Sequence, residues 1–134
     1  MSRKEARELA FQGIYQMDIL KEKARTIIDN LLSERPIKDI EYFQDVLLGV
    51  EGNLQIIDEK IKKYSKNWKL ERLSKVDKAI LRLATYEILF KEDIPDIVAI
   101  NEGVELAKNY SNEDSPKFIN GLLDQIRKEK EMGE

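Results

Sequence analysis

Six basic side chains, in two separate stretches of the chain, could bind the phosphates of a nucleic acid. They are Arg3, Lys4, Arg7, Lys75, Lys78 and Arg82. On a helix the last three are spaced i, i+3 and i+7, so their cations would share one face. The alternative interpretation is an ordinary solvated helix face, which is the commoner meaning of such a charge run.

Aromatic side chains could supply the second requirement of RNA binding, which is a surface on which bases stack. They are Tyr15, Tyr86, Tyr110 and Phe118. Each stacked base contributes roughly 1–3 kcal/mol in proteins that bind single strands. The alternative is that these rings belong to the hydrophobic core. We expect cations from two helices to converge beside these rings and to bind a short single strand of RNA.

The composition excludes several kinds of chemistry. Without cysteine there is no disulfide, no thiolate nucleophile and no Cys-based zinc site, and without histidine the usual general base and commonest metal ligand are missing. The glycines match neither phosphate-binding loop, and no calcium-loop spacing occurs. Most carboxylates have helix-surface spacing. We therefore predict no catalytic residue, no metal and no cofactor.

Charge is abundant but nearly balanced, with 23 basic and 26 acidic side chains. The signs are segregated, because residues 66–82 hold six basic and two acidic side chains whereas residues 29–59 hold two and eight. No apolar run approaches the ~20 residues that span a bilayer, and the N-terminus does not have the pattern of a signal peptide. We therefore expect a cytoplasmic protein that does not enter a membrane.

The spacing of apolar residues predicts an all-α fold of about six to seven helices, since nothing alternates with the period of a strand. We predict helices over residues 3–20, 24–34, 40–64, 74–90, 96–107 and 115–126, the last followed by a charged tail from Arg127, with Ser74, Asp96 and Ser115 as N-caps. The helix over 40–64 carries a seam of apolar residues spaced alternately by three and four, which Gly49 and Gly52 interrupt.

The charge character changes around Asn67 and Trp68, where we place the junction between two halves of a single domain. The halves are residues 1–66 and 67–134. Asn101 and Asn120 lie inside predicted helices although asparagine is a weak helix former. We expect their amides to satisfy helix ends or loop carbonyls in the core.

Four blocks of the sequence resemble the NusB family of bacterial transcription antitermination factors. The opening block RKEARELAFQGIYQ covers residues 3–16, and DKAILRLATYE covers residues 77–87. PDIVAINE at residues 95–102 and KFING at residues 117–121 follow in the same order as in the family. The resemblance runs nearly from end to end.

This resemblance implies an all-helical fold of two small bundles packed at a large angle. It also implies binding of single-stranded RNA, namely the boxA element of nascent ribosomal RNA. The partner would be NusE, a small-subunit ribosomal protein, within the antitermination complex on RNA polymerase.

Residues that match the family by position are candidates for the shared RNA and partner surface. They are Arg3, Lys4, Arg7, Tyr15, Lys78, Arg82, Glu87, Asp114 and Phe118. Lys75 joins them because it lies on the same helix face as Lys78 and Arg82. We expect Arg82→Glu to weaken RNA binding with little change in stability.

Two other functions stay open at this point. One is a helical adaptor that binds proteins without specific RNA recognition. The other is an RNA-binding accessory domain related to ribosomal-RNA cytosine methyltransferases. A homodimer that hides the RNA surface is an alternative to a monomer.

Overall fold

The structure, a computed structural model, describes residues 2–65 and 70–133. Within these ranges it contains seven α-helices, one short 3₁₀ turn (Leu70–Arg72) and no strand. The helices are α1 (Ser2–Leu20), α2 (Ala24–Glu34), α3 (Ile40–Gly52), α4 (Leu54–Tyr64), α5 (Lys75–Phe90), α6 (Asp96–Tyr110) and α7 (Ser115–Glu131). The all-α prediction with six to seven helices is confirmed. No helix in these ranges is long and apolar enough to cross a membrane.

The starts of three helices show which caps were predicted correctly. The Ser74 hydroxyl accepts a hydrogen bond from the backbone N–H of Asp77 at 3.0 Å, so this cap is confirmed. Asp96 and Ser115 are instead the first residues of α6 and α7. Their side chains are used elsewhere, since Asp96 accepts a hydrogen bond from Lys130 and the Ser115 hydroxyl donates to Asp77.

The prediction of one long helix over residues 40–64 is wrong, because the chain breaks between α3 and α4. The backbone N–H of Asn53 donates to the Gly49 carbonyl at 3.0 Å, and the Asn53 side-chain amide donates to the same oxygen at 2.8 Å. Asn53 thus closes α3 and begins α4. The apolar seam continues across the break, where Val50 and Ile57 are both buried in the core.

Helix α5 lies at the centre of the fold. Its residues 77–88 are all buried, and it packs against α1, α3, α4, α6 and α7. The buried apolar side chains of these helices form one cluster. A single core therefore includes residues from both predicted halves; the predicted junction lies in residues 66–69, outside the described ranges.

Two close approaches join α5 and α7 to the N-terminal helices. The Tyr86 ring packs where any side chain at position 49 would stand, so α3 needs Gly49 for this contact. In the second contact, the buried Glu129 carboxylate of α7 accepts hydrogen bonds from Lys60, Lys63 and Tyr64 of α4. We call this second contact the Glu129 clasp.

The prediction that two asparagine amides serve the core is wrong. Asn101 and Asn120 both lie on exposed helix faces, on α6 and α7. The adjacent Gly121 is also exposed, and a side chain added there would meet nothing within 4 Å. These three positions are therefore not part of the core.

Candidate nucleic-acid interface

Helices α1 and α5 pack antiparallel, with an ionic cluster at each end of their contact. Arg7 near the start of α1 meets Glu87 near the end of α5, and Asp18 near the end of α1 meets Lys78 near the start of α5. We call these the Arg7 cluster and the Asp18 cluster. Most of the predicted cations belong to one of them.

The Arg7 cluster is sealed inside the protein. Arg7 and Glu87 are 5% and 1% exposed, and the Arg7 guanidinium donates to Glu87 Oε2 at 3.1 and 3.3 Å. The Tyr42 hydroxyl donates to the same oxygen at 2.6 Å, and Glu102 lies 3.7 Å from the guanidinium. Burial lowers the pKa of Arg7, but Glu87 and Tyr42 outweigh it and the net pKa is raised. Arg7 therefore stays charged and holds Glu87.

The other two cations of the opening helix differ from Arg7. Arg3 donates to Asp39 at 2.6 Å, and its guanidinium lies 4.3 Å from the centre of the Tyr42 ring. Lys4 is exposed and has no ion-pair partner within the described ranges. Lys4 is therefore the residue of this group whose charge is available to a ligand.

In the Asp18 cluster, three cations of α5 surround one carboxylate of α1. The ammonium nitrogens of Lys75 and Lys78 lie 3.3 and 3.5 Å from Asp18 Oδ2, and Arg82 lies 3.8 Å from Oδ1. The prediction that these three cations share one face is confirmed. Arg82 is 8% exposed and also forms a two-pronged ion pair with Asp58, at 2.8 and 2.9 Å.

Burial and charge oppose each other in the Asp18 cluster. Burial raises the pKa of Asp18, but Lys78 and Arg82 outweigh it, so the pKa falls below its ordinary value. Burial also lowers the pKa of Lys78, more than Asp18 raises it. Lys75, whose side chain is 44% exposed, is the α5 cation of this cluster that solvent reaches most readily.

A cleft of about 430 Å³, the α5–α7 pocket, opens where the N-terminal ends of α5 and α7 meet. Its lining combines a cation, a ring and several hydrogen-bonding groups: Arg72, Leu73, Ser74, Asp77, Asn112, Asp114, Ser115 and Phe118. The buried Asp77 carboxylate accepts hydrogen bonds from Ser111 at 2.6 Å and Ser115 at 2.9 Å, which fixes the wall of the pocket. The link between the pocket and the Asp18 cluster is the start of α5, where Ser74 lines the pocket and Lys75 follows it; Asp77 shares no helix face with Lys75 or Lys78.

The sequence pattern that defines the NusB family matches residues 4–128 of this chain. The chain belongs to the NusB family. Transcription antitermination protein NusB of Acetivibrio thermocellus is 52% identical over 134 residues, covering 98% of this chain and 92% of the relative. The resemblance found in the sequence is therefore confirmed.

Solved NusB structures share the fold. The NusB structure of T. maritima has a TM-score of 0.89 and 40% identity, covering 96% of this chain and 92% of that one. The crystal structure of antitermination factors NusB and NusE in complex with dsRNA has a TM-score of 0.86 and 29% identity, covering 96% and 97%. That neighbour is a NusB protein bound to both NusE and RNA.

The expectation that cations from two helices converge beside the rings is wrong. Arg7 and Arg82 pair with acids at opposite ends of the α1–α5 contact, and the eleven helical steps from Arg7 to Asp18 span roughly 16 Å. The physical reason is that a buried cation needs a carboxylate partner from a facing helix. The cations of α1 and α5 are therefore each paired with an acid and do not combine into one positive surface.

The aromatic side chains also separate into groups. Tyr86 is buried against Gly49, and Tyr110 packs against Phe11 with ring centres 5.2 Å apart. Tyr15 and Phe118 are half-buried and pack against the core. Phe118 also lines the α5–α7 pocket, and Asp114 lies exposed on its rim.

Sequence reasoning missed the inner wall of this pocket. In the sequence, Asp77 stands out only as part of the 77–87 block, Ser115 only as a predicted cap, and Arg72 only as one of the basic residues of 66–82. The signal was the pairing of Ser74 with Asp77 at the capping-box spacing, followed by a second helix start at Asp114 and Ser115. Two polar helix starts can share one cleft when their helices pack together.

Proposed function

We propose that this chain is a transcription antitermination factor that binds the boxA element of nascent ribosomal RNA together with NusE. The pair joins the antitermination complex on RNA polymerase, in the cytoplasm, and helps the polymerase read through terminators. The observation that carries the proposal is the α5–α7 pocket, whose lining residue Ser74 precedes Lys75 of the Asp18 cluster, in a chain that belongs to the NusB family.

The α5–α7 pocket has the features of a site for one RNA base. Phe118 offers part of its ring for stacking, while the Asp114 carboxylate and the Asn112 amide can hydrogen-bond with a base edge. Asp77 holds the wall in place, and Arg72 adds positive charge for a neighbouring phosphate. A base splayed from a single strand would meet all of these groups together.

Exposure assigns roles to the remaining candidates. Lys4 and Lys75 reach solvent and are proposed to contact RNA phosphates. The buried Arg7, Arg82 and Glu87 are proposed to act through position, by holding α1 against α5.

Three other candidates differ in burial. Arg3, Tyr15 and Lys78 are proposed to belong to the RNA or NusE surface. Arg3 is exposed beside Asp39 and Tyr15 is half-buried on α1, whereas Lys78 is buried in the Asp18 cluster.

This chain alone should bind RNA weakly. Its net charge is −3, and several of its cations are already paired with its own carboxylates. Affinity for single strands grows with the number of phosphates neutralised, so few available cations mean weak binding. A partner that extends the basic surface would raise the affinity, and RNA would tighten partner binding by the same factor.

The test is the affinity of labelled boxA RNA for this chain, with and without NusE, across a salt series. We expect tighter binding and a steeper dependence on salt when NusE is present. Equal affinities with and without NusE would refute the linkage. A scrambled RNA that binds as tightly as boxA would favour the adaptor function instead.

A pair of aromatic substitutions tests the pocket. Phe118→Ala should weaken RNA binding by the free energy of stacking one base, roughly 1–3 kcal/mol. The control is Phe90→Ala, since Phe90 is 40% exposed at the far end of α5. Both variants are checked for folding by thermal unfolding. Equal RNA affinities for the two folded variants would remove the base site from the proposal.

A further inference from the structure

Asp18 is an acid surrounded by more positive charge than it can neutralise. Besides the three α5 cations, Lys21 lies 3.7 Å from Oδ1, so four cations stand within 3.8 Å of one carboxylate. Asp18 Oδ2 is shielded from solvent and makes no hydrogen bond with good geometry among the described residues. Its contacts are therefore ionic rather than closely fitted.

One further acid compensates part of this charge. Asp58 pairs with Arg82, which leaves two more positive than negative charges in direct ionic contact around Asp18. The adjoining cleft of about 470 Å³ is also lined by Glu22 and Glu51, but the Glu51 carboxylate accepts the backbone N–H of Ala24 at 2.8 Å. Because Asp58 pairs with Arg82, the three lysines share the single carboxylate of Asp18.

The lysines that could leave Asp18 are those that reach solvent. The side chains of Lys21 and Lys75 are 78% and 44% exposed, whereas those of Lys78 and Arg82 are 8% and 10% exposed. Lys75 begins α5 and directly follows Ser74, which lines the α5–α7 pocket, so we assign to Lys75 the phosphate next to a base in that pocket. The carboxylate of Asp18 repels the same phosphate.

We propose that Asp18 is an internal competitor of RNA: its carboxylate occupies the place of a backbone phosphodiester and holds Lys75 until the transcript displaces it. This inference rests on the proposed function. Because Asp18 holds Lys75, the affinity for RNA is lower than the number of lysines suggests. A change at this one acidic side chain would therefore change the affinity.

The deciding variant is Asp18→Asn, which keeps the shape and removes the charge. Two unit charges about 4 Å apart in water interact by about 1 kcal/mol, so the affinity for boxA RNA in the presence of NusE should rise about fivefold. Because one more phosphate is neutralised, the slope of log affinity against log salt should steepen by about 0.7. Unchanged or weaker binding by Asp18→Asn would overturn the proposal.

The matched control is Asp29→Asn on α2, which removes the same charge from a side chain that is 63% exposed and pairs with Arg25. We expect less than a twofold change. An equal gain in both variants would mean that net charge alone is responsible, and the proposal would fail. Adding Lys75→Ala to Asp18→Asn should abolish the gain; a gain that persists would also overturn it.

Inorganic tripolyphosphate separates this proposal from the function on which it rests. If the wild-type chain with NusE does not bind boxA RNA, the proposed function fails, yet Asp18→Asn should still bind tripolyphosphate several-fold more tightly than wild type. No gain would refute the competitor role. On the wild-type chain, which needs no substitution, tripolyphosphate should shift the NMR signal of the Asp18 carboxyl carbon; an unmoved signal would refute it as well.

Discussion

The two ends of the α1–α5 contact use the same residue types to different effect. At one end Arg7 is matched by Glu87 and Tyr42 in a sealed cluster. At the other end Asp18 faces more cations than it can neutralise, and Lys75 remains accessible. A basic residue is therefore structural where its charge is matched and buried, and it is available for binding where charge is in excess at the surface.

The first test of this comparison removes the cation of the sealed end. Arg7→Met should destabilise the protein by about 3–5 kcal/mol, because Glu87 is left as an uncompensated buried charge. Denaturant unfolding measures the loss. The control is Arg25→Met, an arginine with a 53% exposed side chain on α2, which should change stability by no more than about 0.5 kcal/mol. Similar losses in both variants would contradict a special role for the Arg7 cluster.

The second test concerns the buried arginine of the other end. Arg82→Met should reduce the free energy of unfolding by about 1.5–3 kcal/mol, the range for a hydrogen bond to a charged group, since it breaks the two-pronged pair with Asp58. This replaces the expectation from sequence that Arg82→Glu would leave stability nearly unchanged. A change of no more than about 0.5 kcal/mol, which is usual for surface positions, would mean that Arg82 behaves as a surface cation.

The third test uses pH at the Asp18 end. The pKa of Asp18 lies below its ordinary 3.8, so its ion pairs add stability above pH 3.8 that is lost as the pH falls through the lower folded pKa. The difference in unfolding free energy between wild type and Asp18→Asn should therefore shrink in acid below 3.8. Denaturant titrations at a series of pH values measure it. A difference that grows in acid would contradict the direction of the shift.

The smallest expected effect on stability is that of the accessible lysine. Lys75→Ala should change the free energy of unfolding by no more than about 0.5 kcal/mol, as is usual for surface positions. It should weaken RNA binding and lower the salt slope by about 0.7. The control is Lys62→Ala on the exposed face of α4, where RNA binding should not change. Equal RNA affinities in the two variants would remove Lys75 from the site.

The sequence predicted the helices well because their signals are local. Apolar spacing and the Ser74 cap act within a few residues, so most helix bounds followed from them. The charged tail predicted from Arg127 is wrong, because α7 continues to Glu131. The break at Asn53 was missed, because the apolar seam keeps its period on both sides of it.

The site was harder to predict because its contacts join distant parts of the chain. Arg7 pairs with Glu87, 80 residues away, and Arg82 pairs with Asp58, 24 residues away. No residue near Arg7 in the sequence indicates that its partner is a buried carboxylate. Lys75, Lys78 and Arg82 were grouped correctly because helical spacing is local, but the acid that they share lies on another helix.

The Glu129 clasp has a consequence for how the molecule comes apart in acid. Hydrogen bonds from Lys60, Lys63 and Tyr64 lower the pKa of Glu129 to about 2, so it remains ionised after ordinary carboxyl groups have taken up protons. The Glu129 clasp between α4 and α7 should therefore persist to lower pH than ion pairs made by carboxylates with ordinary pKa values. Amide protons in these two helices would then be among the last to exchange with solvent, and an acid-expanded form of the chain would keep this pair of helices joined.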